Sequence, residues 1–329
     1  MEIEEVIKIW RELTLHQRIE AVHQLNALVE SAAIEEELNE ENRIISEGIN
    51  SEPGNERVST IHSFYCGDFI KPETCNLLSE RDLNPHLIFT SPPYNAGIDY
   101  GAGFDDKKPT KKYVRFLHEF IDNCDKVLRT GGRLVINLRD ITTGKGRRIP
   151  AIVPLYDYLC EEKGYRFRGM HIWYKGREES SFAWGSWRSS INPSIIDLYE
   201  YVFVFQKGEY LRGPDNLEKT EFIEDVIGVW KIRPVKKITG KNKKNILNHP
   251  CPFPFELAKR VIKLYSHVGD IVLDPFAGVL STSCAAAMSG RNSIAVEINK
   301  DYCKYGAERF LGIFGDSLFG NIKLKELRQ

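Results

Sequence analysis

No stretch of this sequence reaches the eighteen or so consecutive apolar residues that a membrane-spanning helix needs, so no membrane association is expected. There is no Cys-x-x-Cys, and the seven cysteines (66, 75, 124, 160, 251, 284 and 303) are an odd number. That usage suits neither a disulfide framework nor a zinc site, and it implies reduced thiols and no metal. The acidic start, Met1-Glu2-Ile3-Glu4-Glu5, lacks the basic region of a secretory leader, which sets the expectation of a cytoplasmic protein. Gly-x-Gly-x-x-Gly is missing as well. A dinucleotide cofactor, whose pyrophosphate that turn cradles, is therefore disfavoured.

What is present is unevenly distributed. The 329 residues suffice for one large domain or two, and their net charge is −1. Residues 1–57 hold fourteen Glu against five Lys plus Arg, a net of −9, which leaves about +8 on the remainder. An acidic arm on a basic body is compatible with nucleic-acid binding by the body. The arm reads as helix, with Ile3, Val6, Ile7, Trp10, Leu13 and then Ile19, Val22, Leu25, Leu28 and Val29 at three- and four-residue steps. Packing on its own body and contact with a second copy of the chain are both open for it.

From residue 58 the pattern is α/β. Strand-like runs occur at 63–68, 87–89, 133–138, 167–174, 200–206, 271–274 and 293–297, with helical patterns at 113–128, 152–162 and 256–265. Residues 95–112 are glycine-rich and charged, and a mobile loop is expected there. Between Lys231 and Lys244 seven Lys or Arg occur without an acid, which suits phosphate contact.

One chemical unit lies late in the chain. Ile271-Val272-Leu273-Asp274 runs into the turn Pro275-Phe276-Ala277-Gly278, a helix opening near Ser281 and Thr282, and a strand that ends at Glu297. A strand, a glycine turn, a helix and a strand ending in an acid is the logic of a nucleoside-binding βαβ unit. The glycine admits the ligand close to the backbone, and the acid accepts from ribose hydroxyls. Without a pyrophosphate fingerprint, S-adenosylmethionine fits.

A second unit lies early. Leu87-Ile88-Phe89-Thr90 reads as a buried strand, and Ser91-Pro92-Pro93-Tyr94 stops it abruptly. Two prolines hold φ near −65° and donate no hydrogen bonds, so the chain leaves the sheet as a stiff loop. At the carboxyl end of a strand this offers a hydroxyl, a proline carbonyl and an aromatic face to a planar, amino-bearing ring.

Taken together these motifs resemble the amino-methylating DNA methyltransferases of the N4-cytosine/N6-adenine type. Ser-Pro-Pro-Tyr comes first, the proline-rich His249-Pro250-Cys251-Pro252-Phe253-Pro254 next and Asp274-Pro275-Phe276-Ala277-Gly278 last. That is the circularly permuted order called class beta. The resemblance implies a Rossmann-like, mostly parallel sheet of seven strands, with a helical N-terminal arm and a small target-recognition insert. The implied layout is an arm at 1–57, a catalytic half at 58–175, a recognition region at 176–248 and a cofactor half at 249–329. Asp274 and Phe89 would end neighbouring central strands at the topological switch point.

By the same resemblance Ser91, Pro92, Pro93 and Tyr94 would be catalytic. Asp68, Asp274, Pro275, Phe276, Gly278, Ser281, Thr282 and Glu297 would bind S-adenosylmethionine. Double-stranded DNA would be held by Lys145, Arg147, Arg148, Trp184, Trp187, Arg188, Asn192, Lys236, Lys237, Lys241, Lys243 and Lys244. A flipped-out base is implied, since an amino group inside the duplex is out of reach. Serine at the first motif position is typical of enzymes acting on cytosine N4, and aspartate of those acting on adenine N6. A cognate restriction endonuclease and dimerisation through the arm are further implied possibilities.

One position departs from the family pattern. Leu280 stands where a second glycine is usual, which raises the alternative of a DNA-binding module that no longer takes the cofactor; RNA as substrate is a further alternative. Pro250-Cys251 suggests a C5-cytosine nucleophile, but in that chemistry the cofactor turn precedes the cysteine, whereas here it follows.

Overall fold

The first strand shows how the sheet is assembled from distant parts of the chain. In the computed structural model, which describes residues 59–101, 103–142, 148–176, 189–191, 193, 195–210, 212–213, 219–235, 254–314 and 322–326, Thr60–Cys66 (β1) pairs in parallel with Asn292–Glu297 (β10). Between them in sequence come helix Pro72–Glu80 (α1), strand Leu87–Thr90 (β2), helix Thr110–Val127 (α2) and strand Arg133–Leu138 (β3). A small hairpin, Ile141–Thr142 (β4) with Arg148–Ile149 (β5), precedes a helix, Ile152–Tyr156 (α3), that continues as π-wound turns over Asp157–Glu162. Strands Arg166–Tyr174 (β6) and Tyr199–Gln206 (β7), helix Lys219–Asp225 (α4) and strand Val229–Lys231 (β8) follow. Helix Phe255–Tyr265 (α5), strand Ile271–Asp274 (β9), helix Ser281–Met288 (α6), then β10, helix Lys300–Phe314 (α7) and strand Ile322–Glu326 (β11) complete the order.

Nine strands form the main sheet in the order β11-β1-β10-β9-β2-β3-β7-β6-β8. Only β7 runs against the others in it, antiparallel to both β3 and β6. The seven strands expected from the sequence are the contiguous run from β1 to β6. The edge strands β11 and β8 are additions, so the sheet has nine strands where seven are expected. Trp230 of β8 is buried and its indole N–H donates to the Asp225 carbonyl, so this piece of the expected recognition region belongs to the sheet.

Strand β2 is buried on both faces, and its alternation sorts the core into two layers. Leu87 and Phe89 join Val135, Val204 and Val272 beneath α5, α6 and α7. Ile88 joins Leu134, Ile136, Leu273 and Val296 beneath α1, α2 and α3. Helix α2 forms because Tyr113, Phe116, Leu117, Phe120, Ile121, Cys124 and Val127 fall on one stripe at three- and four-residue spacing. Gly131 then turns the chain with φ +80°, and a Cβ there would lie 2.9 Å from the Glu209 carbonyl oxygen. Only glycine suits that turn.

The parallel strands all end on the same side of the sheet. At its centre β9 and β2 are neighbours, and their connections leave in opposite directions, β9 towards β10 and β2 towards β3. That reversal is a topological switch point, where open α/β sheets bind ligands. Residues 1–58, which include the arm expected at 1–57, lie outside the described residues.

Candidate active site

Asp274 ends β9 inside the protein, 1% exposed. Its Oδ1 accepts from the Thr90 hydroxyl (2.7 Å) and the Phe276 amide (3.1 Å), and its Oδ2 from the Thr282 hydroxyl (2.6 Å). Burial pushes this carboxyl up to about 6, against the pull of those three donors. Asp274 and Thr282 thus spend their polar atoms on each other and on the turn. Ser281 is buried as well, with its Oγ 3.4 Å from the Arg309 guanidinium. These side chains fix the shape of the turn from below. Phe276 packs its ring 5.5 Å from Phe120 and 6.0 Å from Phe116.

Glu297, at the end of β10, is only partly buried. Its Oε2 accepts from the Gly278 amide and its Oε1 from the Asn299 amide, each at 2.8 Å. Each oxygen keeps a further lone pair, the arrangement that a vicinal diol requires. Burial raises this carboxyl, and the amide donors act the other way. Next to it the Gly67 amide donates to the Glu297 carbonyl at 2.8 Å, which brings Asp68 to the same edge. Asp68 is partly exposed, and its Oδ1 caps the Ile70 amide at 2.9 Å.

Ser91-Pro92-Pro93-Tyr94 leaves β2 one strand away. Tyr113 donates its hydroxyl to the Pro93 carbonyl at 2.7 Å and so braces the loop. The Ser91 and Tyr94 hydroxyls are 2.6 Å apart. Tyr94 donates to Glu200 Oε2 at 2.7 Å, and the Asn137 amide lies 2.7 Å from both the Tyr94 and Glu200 oxygens. Lys175 closes the cluster with an ion pair to Glu200 Oε1. Burial, and then the Glu200 carboxylate, raise the Tyr94 phenol well above its ordinary value, so it stays protonated.

The family model for the DNA methylases, of N6/N4 type, matches residues 85–308. The chain belongs to the DNA methylase family. A type II methyltransferase of Methanothermobacter thermautotrophicus, M.MthZI, is 28% identical over 276 residues, covering 74% of this chain and 75% of that protein. DNA adenine methyltransferase YhdJ of Escherichia coli is 28% identical over 238 residues, covering 68% of this chain and 75% of that one. A DNA modification methylase of Thermus thermophilus, described as putative and solved with S-adenosylmethionine, superposes with a TM-score of 0.58 at 27% identity. That superposition covers 81% of this chain and 100% of the other. PvuII DNA methyltransferase, a cytosine-N4-specific enzyme, shares the fold with a TM-score of 0.57 at 19% identity over 83% of this chain and 99% of its own.

The cofactor of this methylase is S-adenosylmethionine, and the partly exposed carboxylates of Glu297 and Asp68 beside the Gly278 turn fit its nucleoside. Leu280 takes φ +65°, the left-handed conformation that a glycine adopts at no cost. Its side chain is 2% exposed and packs towards Gly306 of α7, where a Cβ would come within 2.8 Å of Leu280 Cγ. The leucine therefore points into the core rather than into the open cleft.

Residues 95–101 and 103–109 are tied down, contrary to the mobile loop expected of them. Buried Asp106 accepts from the amides of Asn95, Ala96 and Ile98 at 2.8–3.0 Å. Asn299 donates to the Tyr100 carbonyl at 2.9 Å and fastens the loop beside Glu297. One Asp of the adjacent pair Asp105-Asp106 in a charged stretch gives no periodic signal for this knot. Thr90, Asn137, Lys175 and Glu200 are site residues that the sequence reading did not single out.

Of the residues expected on DNA, Arg148 is described. It pairs with Asp197 at 2.7 Å, with Arg139 3.6 Å from the same carboxylate. Lys145, Arg147, Trp184, Trp187, Arg188, Asn192, Lys236, Lys237, Lys241, Lys243 and Lys244 lie outside the described residues, as do His249 and Cys251. None of the six described cysteines forms a disulfide. Among the described residues no acidic, histidine or cysteine cluster could hold a metal, and no helix is long and apolar enough to cross a membrane.

Proposed function

We propose that this methylase modifies the N4 amino group of a cytosine flipped out of duplex DNA. The observation that carries this reading is the serine at the head of Ser91-Pro92-Pro93-Tyr94, set one strand from the cofactor turn by the Thr90–Asp274 hydrogen bond. When bound, S-adenosylmethionine supplies an electrophilic methyl group on a sulfonium. Ser91 and the Pro92 carbonyl accept the two amino N–H groups, which returns the delocalised lone pair to nitrogen and aims it. The Tyr94 ring stacks on the base. Glu297 holds the ribose and Asp68 the adenine amino group, while Asp274, Ser281 and Thr282 shape the loop beneath them.

Adenine N6 is the second reading, and the 28% identity to an E. coli DNA adenine methyltransferase favours it. Mass spectrometry of nucleosides from unmethylated DNA, treated with protein and S-adenosylmethionine, separates the two. N4-methylcytosine supports the proposal, whereas N6-methyladenine replaces it with the second reading. No methylated base on DNAs of varied sequence would remove both. Sequence recognition is assigned to 176–199 and 208–248 outside β8, with residues 1–57 as an arm for self-association, and a companion restriction endonuclease as a functional partner.

A further inference from the structure

A serine hydroxyl is chemically ambiguous at such a site, because it donates as readily as it accepts. An aspartate in its place would have no choice. Only as an acceptor can Ser91 take a hydrogen bond from the amino group of the base, so something must fix the direction of its own proton.

The hydrogen bonds around it do so. Glu200, 6% exposed, receives Lys175 on Oε1, and the Lys175 ammonium also lies 4.7 Å from the Trp173 ring centre. Its Oε2 has two neighbours at 2.7 Å, Tyr94 Oη and the Asn137 side-chain amide. A carboxylate only accepts, so the tyrosine proton and one amide hydrogen both point at Glu200. The orientation of Asn137 follows, since its oxygen at that position would face a carboxylate oxygen; Asn137 Oδ1 has no partner among the described residues. With its single proton committed, Tyr94 Oη can only accept from Ser91 at 2.6 Å. Ser91 then has no proton left to give, and its oxygen can act towards a ligand only as an acceptor.

We infer that Glu200, anchored by Lys175, is a positioning residue that commits the Ser91 hydroxyl to act as a hydrogen-bond acceptor for the target amino group. The chain runs in one sense, from serine to tyrosine to carboxylate. This rests on Ser91 acting at the reacting amine, as proposed above.

Glu200→Gln tests it, because Lys175 requires an oxygen. The glutamine would turn its oxygen to Lys175 and its NH2 to Tyr94 and Asn137, which removes the acceptor that holds the Tyr94 proton and frees Ser91 to act as a donor. Turnover at saturating S-adenosylmethionine and unmethylated genomic DNA is expected to fall about 100-fold. The dissociation constant for S-adenosylmethionine should stay within about twofold, since Glu200 touches none of the groups that would hold it. In Lys175→Met/Glu200→Gln the glutamine is free to turn its oxygen back to Tyr94, and turnover is expected to rise about tenfold above E200Q. Wild-type turnover in E200Q would overturn the inference. So would a double variant that binds the cofactor normally yet is no faster than E200Q, or is inactive should E200Q alone fail to fold. An inactive wild-type protein would instead sink the functional reading.

Discussion

Thr90 and Asp274 are 184 residues apart in the chain and 2.7 Å apart in space, hydroxyl to carboxylate. One belongs to the strand that feeds the Ser91–Tyr94 loop and the other to the strand that feeds the Pro275–Gly278 turn. Both are buried, Thr90 completely. The bond therefore sets the two half-sites against each other where water cannot substitute for it. Thr90→Val keeps the shape and removes the donor. Stability should fall by about 1.5–3 kcal/mol, the range for losing a hydrogen bond to a buried charged group. Urea unfolding at pH 8, where Asp274 is ionised, checks this; an unchanged midpoint would mean that the two strands are aligned by packing alone.

Asp274 also gives the fold a pH dependence with a definite sign. Its carboxyl is pushed up to about 6 from 3.8 by burial. A native pKa above the unfolded one means that the protonated form favours folding. That contribution is full below about 4 and is lost as pH rises through about 6, on the order of 3 kcal/mol in all. Asp274→Asn mimics the protonated state, with its oxygen accepting from Thr90 and the Phe276 amide and its NH2 donating to the Thr282 hydroxyl. The variant is expected to gain on the wild type as pH rises from 5 to 8 in thermal unfolding. Parallel melting curves across that range would show that Asp274 is not the group titrating.

The Ser91–Tyr94 loop and the central strands are legible in the sequence because their signals are local. Three apolar residues shortly before two prolines announce a buried strand and a stiff exit, and β2 with Ser91–Tyr94 is just that. Asp274 and Glu297 were legible as strand-terminal acids. Their different environments were not, because burial depends on what the rest of the sheet brings over them. Glu200 looked like the start of an ordinary alternating strand, and nothing local pairs it with Tyr94, 106 residues away. Strand β8 escaped notice at three residues, too short for a period. Asp106 escaped because an aspartate in a charged loop reads as solvated until three backbone amides are found pointing at it.

At Leu280 two opposing costs predict which way a substitution tips. A left-handed φ of +65° strains a leucine by about 1–2 kcal/mol, whereas emptying a buried leucine site costs about 2–5 kcal/mol. Leu280→Gly should therefore lower stability by about 2 kcal/mol despite relieving the backbone. Gly306→Ala alone should also destabilise, since its Cβ would meet Leu280 Cγ at 2.8 Å. The two should not add, because the first substitution removes most of the second one's clash. A double-mutant cycle by chemical denaturation measures that coupling, and strict additivity would place the two side chains out of contact. Cofactor affinity should be nearly unchanged in Leu280→Gly, as the leucine faces the core.

The sharpest division of labour is between binding the cofactor and turning it over. The groups that fit the nucleoside sit at the ends of β1 and β10, whereas Ser91 sits past β2 and, among the described residues, bonds only to Tyr94 and, more weakly, to Asn137 at 3.4 Å. Ser91→Ala should therefore leave the proposed cofactor contacts intact while deleting one of the two proposed acceptors for the amino group. Turnover should drop about 100-fold or more, in the range seen when one preorganised polar contact to a reacting group is lost. Affinity for S-adenosylmethionine, measured by calorimetry on the same preparation, should change by less than about threefold. The comparison is diagnostic because both quantities come from one variant. Equal losses in the two would mean that Ser91 shapes the whole cleft and does not act on the amine.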